Sequence, residues 1–275
     1  MFNFSELIIS GLYWLFGGAV SFVFVFLCGL FSGTLIGAAG IGGVVLVPLL
    51  VYGAGFSIHT SIAAAVSSFI FSGLIGTIAY AKRGEVNWLQ LTYLTVGAVP
   101  GALVGTHTLS KVNADFLILF IATVLIFASY KQITNLQFKR RHDQSIPSNI
   151  SLLFVGFLTA CLSVLSGTGG PLVLVPILTF LSMPLLAVIG LSQAIQIPIA
   201  VFATVGNQWS GIIRWEIVAL LSPGLVLGTF FGAKASEYLP IDKIKSLVAF
   251  LLLGSGIYMF GRERRLSLRK IDYIN

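Results

Sequence analysis

Apolar residues fill this chain in long unbroken blocks, not in alternation with polar ones. Stretches free of Asp, Glu, Lys and Arg cover residues 7–81, 116–130, 144–213, 217–233 and 246–261, punctuated by glycine, serine and proline. A helix that crosses a bilayer needs about 20 mostly apolar residues, and the blocks divide into lengths of that order. A membrane β-barrel would show alternating segments of about ten residues instead. Helices satisfy their own backbone where water is absent. The pattern predicts helices over residues 12–37, 58–81, 87–108 and 114–131, then over 149–166, 185–208, 214–235 and 242–260. Short apolar segments fall at 44–54 and 171–182. The expected fold is an all-α polytopic membrane protein: two homologous repeats, eight transmembrane helices, and two short broken or re-entrant segments.

The duplication is visible in the residues. "AAGIGGVVLVP" at 38–48 and "SGTGGPLVLVP" at 166–176 pair Gly42 with Gly170, Leu46 with Leu174, Val47 with Val175 and Pro48 with Pro176, an offset of 128. Beyond this stretch an offset of 127 aligns better, which implies a one-residue indel. It pairs Gly84 with Gly211 and Trp88 with Trp215. It also pairs Gly97, Gly101 and Gly105 with Gly224, Gly228 and Gly232. Glycines four apart line one helix face and let another backbone come close, so these six are candidate helix-packing residues. The expected organisation is a first repeat over 1–135, a basic cytoplasmic linker over 136–144, a second repeat over 145–261 and a basic tail over 262–275.

Composition agrees with a membrane solvent. Hydrophobic residues make up 57% of the 275 and charged residues 9%, against about 25% charged in soluble domains. The net charge of +7 comes largely from Lys139, Arg140 and Arg141 in the linker and from Arg262, Arg264, Arg265, Arg269 and Lys270 in the tail. Such juxtamembrane clusters mark a cytoplasmic side, not nucleic-acid binding. With both clusters inside, each half crosses an even number of times, four spans and a segment that enters and returns. The rival is five crossings per half, which makes the halves inverted repeats. Cys28 and Cys161 lie in apolar segments and suggest no disulfide framework. "MFNFSELIIS" at the start lacks the positive region of a cleaved signal peptide.

The glycine clusters read as helix breaks. Pro171 suits a first helical turn, Ser166 or Thr168 is placed to cap that start, and Pro176 disturbs or ends the segment. A helix start exposes about four unpaired N–H groups and carries partial positive charge. Glycines remove the side chains that would shield those donors. Two such starts at mid-membrane would cradle an anion on backbone without burying a Lys or Arg, which costs about 2.5–3.5 kcal/mol on insertion. The candidate substrate residues are Gly40, Gly42, Gly43 and Val44 in the first break and Gly167, Thr168, Gly169 and Gly170 in the second. Polar residues within spans join them: Ser67 and Ser68 in one half, Ser192, Gln193 and Gln196 in the other. Gln193 and Gln196 share a helix face. Ala65, Val66 and Phe69 stand opposite that trio in the alignment of the halves.

The duplicated glycine motif running into an apolar stretch and proline, the "RGEVNW" loop and the glycine ladder after it resemble the TauE/SafE sulfite exporter family over about residues 20–260. The resemblance implies transport of a small sulfur-containing anion, such as sulfite, thiosulfate or an organosulfonate, across a cell membrane, the inner membrane in a bacterium. The family often shows three consecutive glycines in this motif. Here Val44 follows Gly42 and Gly43, and Pro171 takes that place in the second break. The implied partners are the anion and the lipid bilayer. The coupling ion, proton or sodium, and a homo-oligomeric state are left open. No cofactor or metal is expected.

Two other classes compete. An anion channel would also use a backbone-lined path. An intramembrane enzyme fits less well: "VLSG" lacks the glycine of a nucleophile elbow, all three histidines precede Ser166, and the chain has no HExxH or P-loop.

Overall fold

A computed structural model describes residues 18–40, 43–135, 148–181, 183–236, 238, 250 and 253–261. Every regular element among them is helical. In chain order these are α1 (Gly18–Ala39), α2 (Gly43–Pro48) continued by a π-helical turn (Leu49–Gly53), α3 (Ile58–Lys82), α4 (Trp88–Leu109), α5 (Ala114–Asn135), α6 (Asn149–Ser166), α7 (Pro171–Phe180), α8 (Leu185–Trp209) and α9 (Trp215–Ala235). Residues 253–261 are helical as well. Among the described residues five helices are long and apolar enough to cross a membrane: Ile58–Lys82, Trp88–Leu109, Asn149–Ser166, Leu186–Trp209 and Trp215–Ala235. Shorter apolar stretches are Phe22–Ala38, Gly43–Gly53 and Ala114–Phe127.

Local chemistry sets the boundaries. Ser57 accepts from the Thr60 N–H, Asn87 from those of Leu89 and Gln90, and Ser148 from that of Ser151, each supplying an acceptor to an otherwise orphaned donor. Gly84 and Gly211, both at positive φ, follow α3 and α8, where a left-handed residue ends a helix cheaply. Trp88, Trp209 and Trp215 are exposed at helix ends, as interfacial anchors are.

Two glycine seams hold the molecule together. Gly97, Gly101 and Gly105 of α4 lie against the backbone of Leu153, Phe157 and Cys161 on α6, while Gly156 faces Leu94. Gly224, Gly228 and Gly232 of α9 interleave with Gly29, Gly33 and Gly37 of α1. A Cβ on Gly29 would stand 2.6 Å from the Leu221 carbonyl oxygen. With lipid as apolar as leucine, close packing of this kind replaces the hydrophobic effect between spans. Each seam joins an N-terminal helix to a C-terminal one.

Helix directions follow from these contacts. Residue numbers rise together along both seams, so α1 runs parallel to α9 and α4 parallel to α6. At the centre Gly73 meets Gln196 and Gly76 meets Gln193, so α3 and α8 are antiparallel. Tyr80 donates to the Gly37 carbonyl (3.4 Å) and Arg83 to that of Ala233 (2.9 Å), so α1, α3 and α9 end on one face. His59 hydrogen-bonds the Val112 carbonyl (2.9 Å), placing the end of α4 beside the start of α3. Four crossings per half would require α1 and α3 to oppose one another. They run the same way, because α2 and its π-turn carry the chain back until Gly53 lies against Phe24.

Candidate functional site

Buried polar side chains, Ser67, Ser68 and Ser72 of α3 and Ser192, Gln193 and Gln196 of α8, lie where the two helix breaks pack on these helices. At the first break Gly40 adopts φ +75° and donates its N–H to the Ile36 carbonyl (2.7 Å). Gly42 lies outside the described residues. Gly43 opens α2, and Val44 beside it is buried in the core. At the second break Gly167 caps α6 at φ +67°, donating to the Ser163 carbonyl. Gly169 and Gly170 follow at φ +76° and +118°, a region that side-chain-bearing residues enter at a cost of about 1–2 kcal/mol. Gly170 is the N-cap of α7 with Pro171 at its first turn.

The breaks meet each other. A Cβ on Gly43 would lie 2.8 Å from the Thr168 carbonyl oxygen and 2.8 Å from Cζ of Phe69. A Cβ on Gly169 would lie 2.5 Å from Cδ2 of the same ring and 3.1 Å from Gln196 Nε2. Only glycine fits at either position. The second break also leans on Val47 and Ile62 through Gly167, and on Ile195 and Ile199 through Gly170.

The α8 polar residues divide between the breaks. Ser192 and Gln193 face Gly40, 3.4 and 3.6 Å from where its Cβ would stand. Gln193 Nε2 donates to the Ile36 carbonyl (3.0 Å), and its Oε1, packed on Gly76, is buried without a partner. Gln196 accepts at Oε1 from Ser72 (3.4 Å), and its Nε2 is buried with no partner at all. A buried donor left unmade costs about 1–3 kcal/mol. An acceptor arriving at Gln196 therefore gains more than it would at an already satisfied amide.

All but one of the other hydroxyl-bearing candidates have their hydroxyls engaged elsewhere. Ser68 donates to Ala64 (2.8 Å) and Ser192 to Ile189 (2.8 Å), both within their own helices. Ser67 is buried with Oγ unpartnered. Ser166 and Thr168 do not cap α7: Ser166 donates back to Leu162 (2.7 Å), and the two hydroxyls bond each other (3.0 Å). The left-handed cap at Gly167 points them away from the next helix start. Pro176 lies inside α7, which continues to Phe180. Its missing N–H removes a single intrahelical bond, and buried neighbours hold the turn.

Sequence reasoning named Phe69 only as the apolar counterpart of Gln196 and passed over Ser72, Gly73 and Gly76. The last two offer the signal: small residues at i and i+3 on α3 make the groove that receives Gln193 and Gln196. Phe69 carried none, since a buried ring in an apolar helix is ordinary. Arg83 and Arg214 occupy corresponding loops but differ. Arg83 holds the end of α9 and stacks on the Tyr80 ring at 5.1 Å, while Arg214 makes an exposed pair with Glu216 (3.6 Å). No group of metal-ligating side chains occurs among the described residues.

Comparison with known proteins bears on what the site serves. Probable membrane transporter protein YunE of Bacillus subtilis is 26% identical over 262 residues, covering 85% of this chain and 95% of the relative. YdhB of the same organism is 25% identical over 235 residues, covering 82% and 92%. A probable membrane transporter protein of Haemophilus influenzae is 23% identical, covering 87% and 99%. No solved structure matches. The profile of the sulfite exporter TauE/SafE family matches residues 24–264, and the chain belongs to that family of multi-pass membrane transporters.

Proposed function

We propose that this protein carries a small sulfur-containing anion, such as sulfite, thiosulfate or an organosulfonate, and holds it where the two helix breaks meet. The observation that carries this reading is the Gln196 amide, fully buried with Nε2 unpartnered and turned to the second break. The start of α7 beside it adds backbone N–H groups and the positive end of a helix dipole. Among the described residues no buried Lys, Arg or His occurs, so attraction there rests on dipoles. Dipoles hold an anion weakly enough for release, and substrate sites at interrupted helices near mid-membrane work in this way.

The chain is read as two homologous halves of opposite orientation, 1–135 and 145–261, with linker 136–144 and tail 262–275 outside them. Three helix pairs related by an offset of 127, α1 with α6, α3 with α8 and α4 with α9, each run in opposite directions. Five passes per half account for this, each short segment with its neighbouring loops completing one pass. Residue 135 then lies on the face on which α3 ends and residue 261 on the opposite one; the linker and the tail themselves lie outside the described residues. This weakens the charge asymmetry that favoured eight spans. Opposed halves give a natural route to alternating access, one half rocking against the other.

Reconstitution in proteoliposomes tests the function. Uptake of labelled thiosulfate, sulfite and methanesulfonate is expected to saturate, and to collapse in Gln196→Leu while the purified variant stays monodisperse. Wild-type rates in that variant would rule out the site. Topology is tested by single cysteines at Gln144 and Ser267 in a background lacking Cys28 and Cys161. An impermeant maleimide should reach them from opposite sides; labelling from one side rejects the inverted arrangement.

A further inference from the structure

Position 69 of α3 and position 196 of α8 correspond at the offset of 127, and both pack against Gly169 of the second break. The two carry opposite chemistry. Gln196 presents an unpartnered amide nitrogen to Gly169, and Phe69 presents only carbon to Gly169 and to Gly43. Both are fully buried. The ring touches the two breaks at once: Cζ and Cε1 would lie 2.8 and 3.3 Å from a Cβ on Gly43, Cδ2 and Cε2 2.5 and 3.0 Å from one on Gly169.

Resting on the transport reading above, we propose that Phe69 is the specificity-determining residue of this site, a stopper that selects anions with one oxyanion end and one weakly hydrated end. A ligand between the breaks meets donors on the Gln196 side and a ring on the other. Sulfate or phosphate, hydrated on every face, would lose water against Phe69 without receiving a hydrogen bond in return. A methyl group or a terminal sulfur placed against the ring loses little. The same ring, filling the space between Gly43 and Gly169, also limits the bulk of the apolar end.

The test measures uptake by wild-type, Phe69→Gln, Phe69→Ala and Gln196→Leu proteins in proteoliposomes, with methanesulfonate, thiosulfate, benzenesulfonate and sulfate as probes. Wild type should favour methanesulfonate and thiosulfate over sulfate by at least about tenfold, the worth of one unpaired buried polar group. Phe69→Gln should shrink that ratio severalfold or more. Phe69→Ala, which adds room without polarity, should raise benzenesulfonate relative to methanesulfonate, and it keeps the proposal testable if the Gln variant does not fold. An unchanged methanesulfonate-to-sulfate ratio in Phe69→Gln, or an unchanged benzenesulfonate-to-methanesulfonate ratio in Phe69→Ala, overturns the role of Phe69. In either case a collapse of uptake in Gln196→Leu leaves the site itself standing. Normal flux in Gln196→Leu removes the site and this inference with it.

Discussion

The two helix breaks are built alike and finish differently. Both end a long helix at a left-handed glycine, Gly40 and Gly167, and both restart in a short apolar helix. The long helices end at Ala39 and Ser166, 127 apart, yet the short ones begin at Gly43 and Pro171, 128 apart. The first break is therefore one residue shorter. Its helix recovers the residue downstream: after Pro48 the chain widens into a π-turn, with Ala54 N–H reaching the Leu49 carbonyl (3.2 Å). By Ile58 and Leu185 the spacing is 127 again. A π-turn accommodates one extra residue within a helix, so α3 and α8 keep their register against each other.

The breaks also differ in how their polar neighbours are engaged. Gln193 is tied by its amide nitrogen to the end of α1, so the first break is fastened. Gln196 keeps its nitrogen unused, so the second break has a donor to offer. One break is fastened by its α8 glutamine and the other is offered a donor by its own.

Four substitutions can break or sharpen this contrast, the largest effect first. Gly169→Ala strains a positive φ at about 1–2 kcal/mol and drives a methyl into Phe69, adding about 1–3 kcal/mol of overpacking. Uptake should be lost and thermal unfolding lowered by several degrees. Gln196→Leu removes a donor worth about 1.5–3 kcal/mol to a charged partner, roughly ten- to a hundredfold in uptake, while the unfolding temperature holds or rises. If it falls instead, the amide is structural and the two breaks are alike. Gly40→Ala meets no atom nearer than 3.4 Å, so it carries only the φ cost of about 1–2 kcal/mol. It should lower the unfolding temperature with less loss of uptake than its counterpart at Gly169. Ser72→Ala deletes a long 3.4 Å bond to Gln196. It should shift uptake less than about fivefold, in line with a net worth near 1 kcal/mol for one hydrogen bond.

Much of the scaffold was legible because its causes are local. The helix predicted over 149–166 is α6, and those over 58–81 and 185–208 are α3 and α8 to within a residue at each end. Continuous apolar runs, with the caps Ser57 for α3 and Ser148 for α6, decide those spans wherever the helices later pack. The offset change from 128 to 127 was likewise readable, although its structural form was not.

Composition, segment length and glycine spacing alone determined that this chain is helical, lies in a membrane and interrupts two helices. Each rests on properties of neighbouring residues. Only tertiary structure decided which helices share a seam, that α3 and α8 oppose one another, and that a phenylalanine from one half stands between both breaks. Ser166 and Thr168 looked like caps and are not, because the backbone turn at Gly167 aims them at each other. Gln193 and Gln196 look equivalent on their helix. Their difference arises from what the facing elements bring, a carbonyl at Ile36 for one and no acceptor for the other, and partners so far apart in the chain leave no trace in local pattern.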